Sequence, residues 1–127
     1  MKMEGSLRIL VVEDDPAVLK LISFLLRKNY YKVDEAHYEV ELMDIAKKKS
    51  PGIIIIDIEL ENMDSIDIIR KLKEDNNTQD IPILCVSNKG NELRVMRALQ
   101  EGASSYIVKP FTPNDLLDRL VASMKKE

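Results

Sequence analysis

The stretch LRILVVEDDPAVLKLISFLL, residues 7 to 26, carries the reading of the whole chain. Its first part, Leu7 to Val12, is an apolar, β-branched run of strand length in which ILVV shows no alternation of polar and apolar residues. A strand of that kind is buried on both faces, as in a parallel sheet covered by helices. Glu13, Asp14 and Asp15 end the run, and Pro16 follows. The pair Asp15-Pro16 offers an N-cap and a first-turn proline, and Val18, Leu21, Ile22, Leu25 and Leu26 recur behind it at helical spacing. A strand, an acidic turn and an amphipathic helix are therefore expected in that order.

The same alternation continues downstream. Strand-length runs lie at Leu7 to Val12, Tyr31 to Ala36, Ile53 to Ile56, Ile81 to Val86 and Ser105 to Val108. Helical patterns lie between and after them, at about Glu39 to Lys49, Ser65 to Glu74, Glu92 to Glu101 and Pro113 to Lys125; the last puts Leu116, Leu117, Leu120 and Val121 on one face. Parallel strands need crossover connections, and right-handed crossovers dominate. The pattern predicts an α/β fold: a flavodoxin-like, doubly wound five-stranded parallel sheet in the order 2-1-3-4-5 with five helices. The run YKVDEA alternates polar and apolar residues, which assigns strand 2 to an edge.

With 127 residues, 45% hydrophobic and 32% charged, the expectation is a single domain over residues 1–127. A net charge of −3 provides no global basic field for nucleic-acid phosphates, so no direct nucleic-acid binding is expected. The lone Cys85, inside IPILCV, reads as a small core residue and fits a reducing cytoplasm. No apolar stretch approaches the roughly 20 residues of a membrane span, and MKMEGSLRIL lacks a signal-peptide core. A soluble, unprocessed cytoplasmic protein without a membrane role is the expectation. His37 is the only histidine, so a zinc site of histidine and cysteine is excluded by count, and any metal must be held by oxygen.

In an open parallel sheet, ligands bind beyond the carboxyl ends of the strands. Strand 1 ends in Glu13, Asp14 and Asp15, strand 3 in Asp57, strand 4 in Ser87 and Asn88, and strand 5 in Lys109. Strands 1 and 3 are neighbours in the expected order, which gathers Glu13, Asp14 and Asp57. Clustered carboxylates repel unless a cation compensates them, and a hard divalent ion, Mg²⁺, suits an all-oxygen cluster. Mg²⁺ takes few carboxylates directly and completes its shell with water and phosphate oxygens, which points to phosphoryl transfer. A carboxylate serves as nucleophile in such chemistry, with an ammonium such as that of Lys109 stabilising the transferring oxygens. Singly, each residue has a bland role: Asp57 as a turn cap, Lys109 as a solvated lysine, Ser87 as a loop hydroxyl. Asp15 reads as the cap of helix 1 and stays outside the metal set.

From LRILVVEDDP through IIIIDIELENMD and IPILCVS to GASSYIVKPF, the chain resembles a response regulator receiver domain of the two-component signalling systems. The resemblance implies a phosphoacceptor switch that takes a phosphoryl group onto Asp57 with Mg²⁺ and remodels the face of helix 4, strand 5 and helix 5. It implies Asp14 as a direct metal ligand, Glu13 acting through water, and the backbone carbonyl of Glu59 as a further ligand. Ser87 corresponds to the hydroxyl that bonds a phosphoryl oxygen and Lys109 to the lysine that pairs with it, with Lys109-Pro110 expected in the cis form. Tyr106 corresponds to the switch aromatic, moving inward as Ser87 engages the phosphoryl group.

Departures from the family pattern fall around the site. Where Met-Pro-x-Met-Asp-Gly is usual after the phosphoacceptor, the chain has Leu60, Glu61, Asn62, Met63, Asp64 and Ser65, which predicts a looser loop with an added negative charge at Glu61. Asn88 replaces a small residue and is expected to crowd the site. Lys89 and Glu59 occupy modulating positions and are expected to approach each other as an ion pair over the phosphoryl group.

The partners implied are a histidine kinase or phosphotransfer protein, and a downstream target or covalently linked output domain. A phosphorylation-dependent dimer is compatible, although Ser104-Ser105 stands where dimerising transcription-factor receivers often carry Asp-Asp. Two alternatives belong to other classes. A haloacid-dehalogenase-type phosphohydrolase also uses a strand-end aspartate and Mg²⁺, but needs a second aspartate where this chain has Glu59. A pseudo-receiver would act only as an interaction module.

Overall fold

The computed structural model describes residues 7–124. Strands and helices alternate as β1 Arg8–Val12, α1 Pro16–Lys28, β2 Lys32–Glu35, α2 Glu39–Lys49, β3 Ile53–Asp57, α3 Ser65–Glu74, β4 Ile83–Ser87, α4 Glu92–Gln100, β5 Ser105–Val108 and α5 Pro113–Met124. All neighbouring strands pair in parallel, in the order β2-β1-β3-β4-β5. This is the doubly wound, flavodoxin-like arrangement expected from the alternation.

The two-residue period of the strands sorts their side chains onto two faces. Leu10, Val12, Ile54, Ile56 and Cys85 pack with Leu42 and Ala46 of α2, Ile68, Ile69 and Leu72 of α3, and Val95 and Ala98 of α4. Ile9, Val11, Ile53, Ile55, Leu84, Val86 and Ile107 pack on the other face with Leu19, Ile22, Leu25 and Leu26 of α1 and Leu116 and Leu120 of α5. Every residue of β3 and β4 is buried, which is why IIII carries no alternation. At the β2 edge no residue is fully buried, in keeping with its alternating sequence.

Boundaries differ from the sequence expectation by one or two residues, each for a local reason. β4 starts at Ile83 because Pro82 has no N–H for a ladder and the Ile81 N–H is bonded to the Thr78 carbonyl at 3.0 Å, inside the preceding turn. β2 starts at Lys32 because the Tyr31 N–H bonds to the Leu26 carbonyl at 3.1 Å, closing the end of α1. β3 extends to Asp57, which pairs with Val86, so the aspartate belongs to the ladder. Lys125, the expected end of α5, lies outside the described residues.

Three helix starts are closed by side chains, the first of them by the expected Asp15 cap. Asp15 accepts the Ala17 N–H at 2.9 Å ahead of Pro16, and Asp64 accepts the Asp67 N–H at 3.1 Å ahead of α3. At α5, Thr112 and Asp115 exchange bonds of 3.0 and 3.1 Å in a reciprocal capping pair.

Candidate functional site

The carboxyl ends of β1, β3, β4 and β5 open on one side of the sheet, and the polar residues that end those runs converge there. The Val12↔Ile56 register sets Glu13 and Asp14 beside Asp57. Carboxylate oxygens of Glu13, Asp14 and Asp57 lie within 4.8 Å of one another. Glu13 and Asp57 are buried and Asp14 is exposed. From the far side of the sheet, the Lys109 ammonium reaches Asp57 Oδ2 at 2.8 Å and Glu13 Oε1 at 3.4 Å. The Lys109-Pro110 bond is cis.

Both oxygens of Asp57 are directed. Oδ2 holds Lys109, and Oδ1 accepts the Glu59 N–H at 2.7 Å. The Asp57 carbonyl accepts the buried Ser65 hydroxyl at 2.6 Å. Glu13 is less well served. Its Oε2 accepts the Asp15 N–H at 3.1 Å, but Oε1 is buried without a hydrogen-bond partner. Burial raises the Glu13 pKa to about 7, assisted by its contact with Asp57 and opposed by the Asp15 N–H and the Lys109 charge. For Lys109, burial acts downward, but the bond to Asp57 and the charges of Asp57 and Glu13 outweigh it, leaving the ammonium above its ordinary range. Three carboxylates with one ammonium and an orphaned buried oxygen form an electron-rich pocket, and the all-oxygen donor set fits a hard divalent cation.

Ser87 ends β4 fully buried and donates its hydroxyl to the Asn88 carbonyl at 3.0 Å. It pairs with Val108, and its carbonyl accepts the Lys109 N–H at 2.8 Å, so the serine and the lysine share one strand end. Tyr106 lies on β5, 39% exposed, beneath the Arg119 guanidinium of α5, which is 5.8 Å from the ring centre and donates to the Tyr106 carbonyl. A hollow of about 310 Å³ separates this ring from Ser87 and the β4–α4 loop, with Lys89, Val95 and Met96 among its walls.

Glu59 and the loop after β3 have partners that the sequence did not indicate. Among the described residues, no ion pair joins Glu59 to Lys89; the Glu59 carboxylate accepts the Asn88 N–H at 2.8 Å and the Asn91 side-chain amide. These donors sit in the β4–α4 loop directly opposite, whereas the modulating positions of the two residues in the family pattern had suggested Lys89. The β3–α3 loop, which lacks the family's usual proline and glycine, is tied to its surroundings at several points. The Glu61 N–H donates to Asp14 Oδ2 at 3.1 Å, Asn62 Nδ2 to the His37 carbonyl at 2.9 Å, and Arg94 through Nε and Nη2 to the Ile58 carbonyl at 3.1 and 2.7 Å. Asn88 is exposed and joins the site through its backbone.

Sequence reading passed over Asn91, Arg94 and Ser65. Asn91 was visible only as a turn residue before a helix, and Arg94 as one more charge on an amphipathic helix. Neither carried a signal for its long-range partner. Ser65 had a fainter one, a hydroxyl where the family usually has glycine.

The sequence model of the response regulator receiver domain matches residues 9–121. The phosphate regulon transcriptional regulatory protein PhoB of Escherichia coli is 34% identical over 119 residues, which cover 94% of this chain and 52% of PhoB. The chain thus spans about half the length of that regulator. The chemotaxis protein CheY1 of Helicobacter pylori is 33% identical over 116 residues, covering 90% of this chain and 94% of CheY1. A solved signal receiver domain of a response regulator from Bermanella marisrubri aligns with a TM-score of 0.86 and 31% identity, over 93% of this chain and 98% of that one.

Proposed function

From the premise that this chain belongs to the response regulator receiver domain family of two-component systems, we propose that it is a phosphoacceptor switch in which Asp57 is the residue phosphorylated. The observation that carries the reading is Asp57 itself, buried at a strand end with Lys109 2.8 Å from Oδ2 and Glu13 and Asp14 beside it.

In the proposed step a carboxylate oxygen of Asp57 attacks the phosphorus of a phosphohistidine on a histidine kinase or phosphotransfer protein. The P–N bond breaks as the P–O bond forms, and the leaving imidazole takes up a proton. Glu13, Asp14, Asp57 and the Glu59 carbonyl are the groups that would hold Mg²⁺. The chemistry such an ion supplies when bound is charge neutralisation between the carboxylates and the phosphoryl oxygens. Lys109, held on Asp57 before reaction, is positioned to shift onto a phosphoryl oxygen. Ser87 offers its hydroxyl to another, giving up the Asn88 carbonyl. Tyr106 has the adjoining hollow into which to turn, and the α4–β5–α5 face would change with it. Asn88 and Lys89 flank this path and would modulate its rate. The recipient of the signal is a downstream protein or a covalently linked output domain.

Intact mass after incubation with acetyl phosphate and Mg²⁺ tests the reading. The expected outcome is a gain of one phosphoryl group that is lost in Asp57→Ala and with a chelator. Beryllofluoride, a phosphoryl mimic, separates rapid hydrolysis from inertness. Absence of both an adduct and mimic binding would refute the proposal.

A further inference from the structure

Asp15, Asp64 and the Thr112–Asp115 pair each close a helix start with a side chain. Asn91, ahead of α4, is of a residue type that caps as well as aspartate. Its carbonyl behaves as a cap should, accepting the Val95 N–H at 3.2 Å. Its side chain, however, bonds to no N–H of the helix. Its backbone also departs from that of the aspartate caps, with φ −109 and ψ 46 against ψ 113 at Asp15 and ψ 96 at Asp64.

The Asn91 amide is engaged elsewhere. Its Nδ2 donates to Oε2 of Glu59, whose Oε1 accepts the Asn88 N–H at 2.8 Å. A carboxylate only accepts, so Asn91 must present its NH₂ group to Glu59, and in that pose its Oδ1 reaches no N–H of the helix. Glu59 lies two residues beyond Asp57, and its own N–H is bonded to Asp57 Oδ1 at 2.7 Å. Its side chain therefore bridges the loops that follow β3 and β4, beside the Asp57 carboxylate.

We propose that Asn91 is a positioning residue with two alternative partners. In one state its amide latches Glu59 across the β3–β4 mouth and the first turn of α4 is uncapped. In the other, Glu59 is released and Asn91 Oδ1 caps α4 by accepting the N–H of Leu93 or Arg94. A charge-assisted bond and a helix cap are of comparable strength, so a modest push on Glu59 shifts the balance. In the latched state Arg94 is bonded to the Ile58 carbonyl, which ties α4 to the loop after β3 independently of Asn91. Displacement of Glu59 is thereby converted into a capping event at the N-terminus of α4. That phosphorylation drives the displacement rests on the phosphoacceptor reading; the exchange of partners does not.

Amide hydrogen exchange, followed by NMR on the full chain without any phosphoryl donor, tests the exchange in the parent, Glu59→Ala, Asn91→Asp and the double variant Glu59→Ala/Asn91→Ala. Loss of Glu59 frees Asn91 to cap, while an aspartate at 91 caps and is repelled by Glu59. The Leu93 and Arg94 N–H groups should therefore exchange about fivefold more slowly in both single variants, in line with the strength of an N-cap. In the double variant, which has no capping side chain, the slowing should vanish. Unchanged exchange in either single variant, or slowing that persists in the double variant, would overturn the proposal. Failure of Asp57 to accept a phosphoryl group would leave these rates untouched, so the two readings fail separately.

Discussion

Glu13 is a carboxylate in an unfavourable place: 3% exposed, with one oxygen lacking a hydrogen bond and only the Lys109 ammonium 3.4 Å from it, and with Asp57 alongside. Its pKa is raised from 4.5 to about 7 by burial and by Asp57, so across that interval the folded chain keeps a proton that the unfolded chain has released. Stability contributed by the neutral form is then full below about 4.5 and declines as pH rises through about 7. Urea midpoints of the cation-free protein should fall over this window, and Glu13→Gln, which keeps the shape without the charge, should flatten the decline. An undiminished slope in that variant would show that another group is responsible. Cys85 is the opposite case, a titratable group with no role at the site. Burial pushes its thiol up to about 12, which makes it a poor nucleophile at neutral pH, as expected from its apolar neighbours in sequence. Asp57, Lys109 and Ser87 were legible as single residues because each immediately follows an apolar run. The partners of Glu59 were not, since Asn88 and Asn91 are about 30 residues away in sequence and meet it only through strand pairing.

At the scale of elements, the joint between α4 and β5 depends on Gly102. Its φ is +121, and an added Cβ would come within 2.6 Å of Lys73 Cγ. Lys73 has little freedom to withdraw, because its ammonium is bonded to the Gln79 and Ile81 carbonyls at 3.0 and 2.8 Å. Gly90 also has a positive φ, +88, but nothing lies within 4 Å of the same added atom. Both substitutions carry a backbone cost, and only one adds a clash. We expect Gly102→Ala to destabilise by about 1–3 kcal/mol and Gly90→Ala by about 1 kcal/mol in urea unfolding. Equal effects would mean that the Lys73 side chain yields easily. Helices were legible from their spacing, and α1 also from its cap, with α2 and α3 falling on the expected residues. Strand starts were less so. Pro82 and the turn bond of Ile81 shorten β4, and that bond depends on where Thr78 lies.

For the molecule as a whole, the acidic cluster links site occupancy to folding. A cation that binds only the native state raises stability by RT ln(1 + [L]/Kd), about 2.7 kcal/mol at a hundredfold excess over Kd. Mg²⁺ should therefore raise the thermal midpoint of this protein, and Asp14→Asn should reduce that rise while leaving the cation-free fold intact, since Asp14 is exposed and outside both cores. A full Mg²⁺-dependent rise in Asp14→Asn would remove it from the ligand set. What the amino-acid sequence determined by itself is the alternation of elements, the doubly wound topology and the residue types at the strand ends. These follow from periodicity, capping and the steric rule for crossovers, all of which act locally or depend only on order along the chain. Tertiary structure decided which polar groups meet: the orphaned oxygen of Glu13, the bond from Glu59 to Asn91, and the hold of Arg94 on Ile58. Such pairings depend on ångström-scale distances between loops carried by different strands, which are set only once the sheet register and both helix layers have packed together.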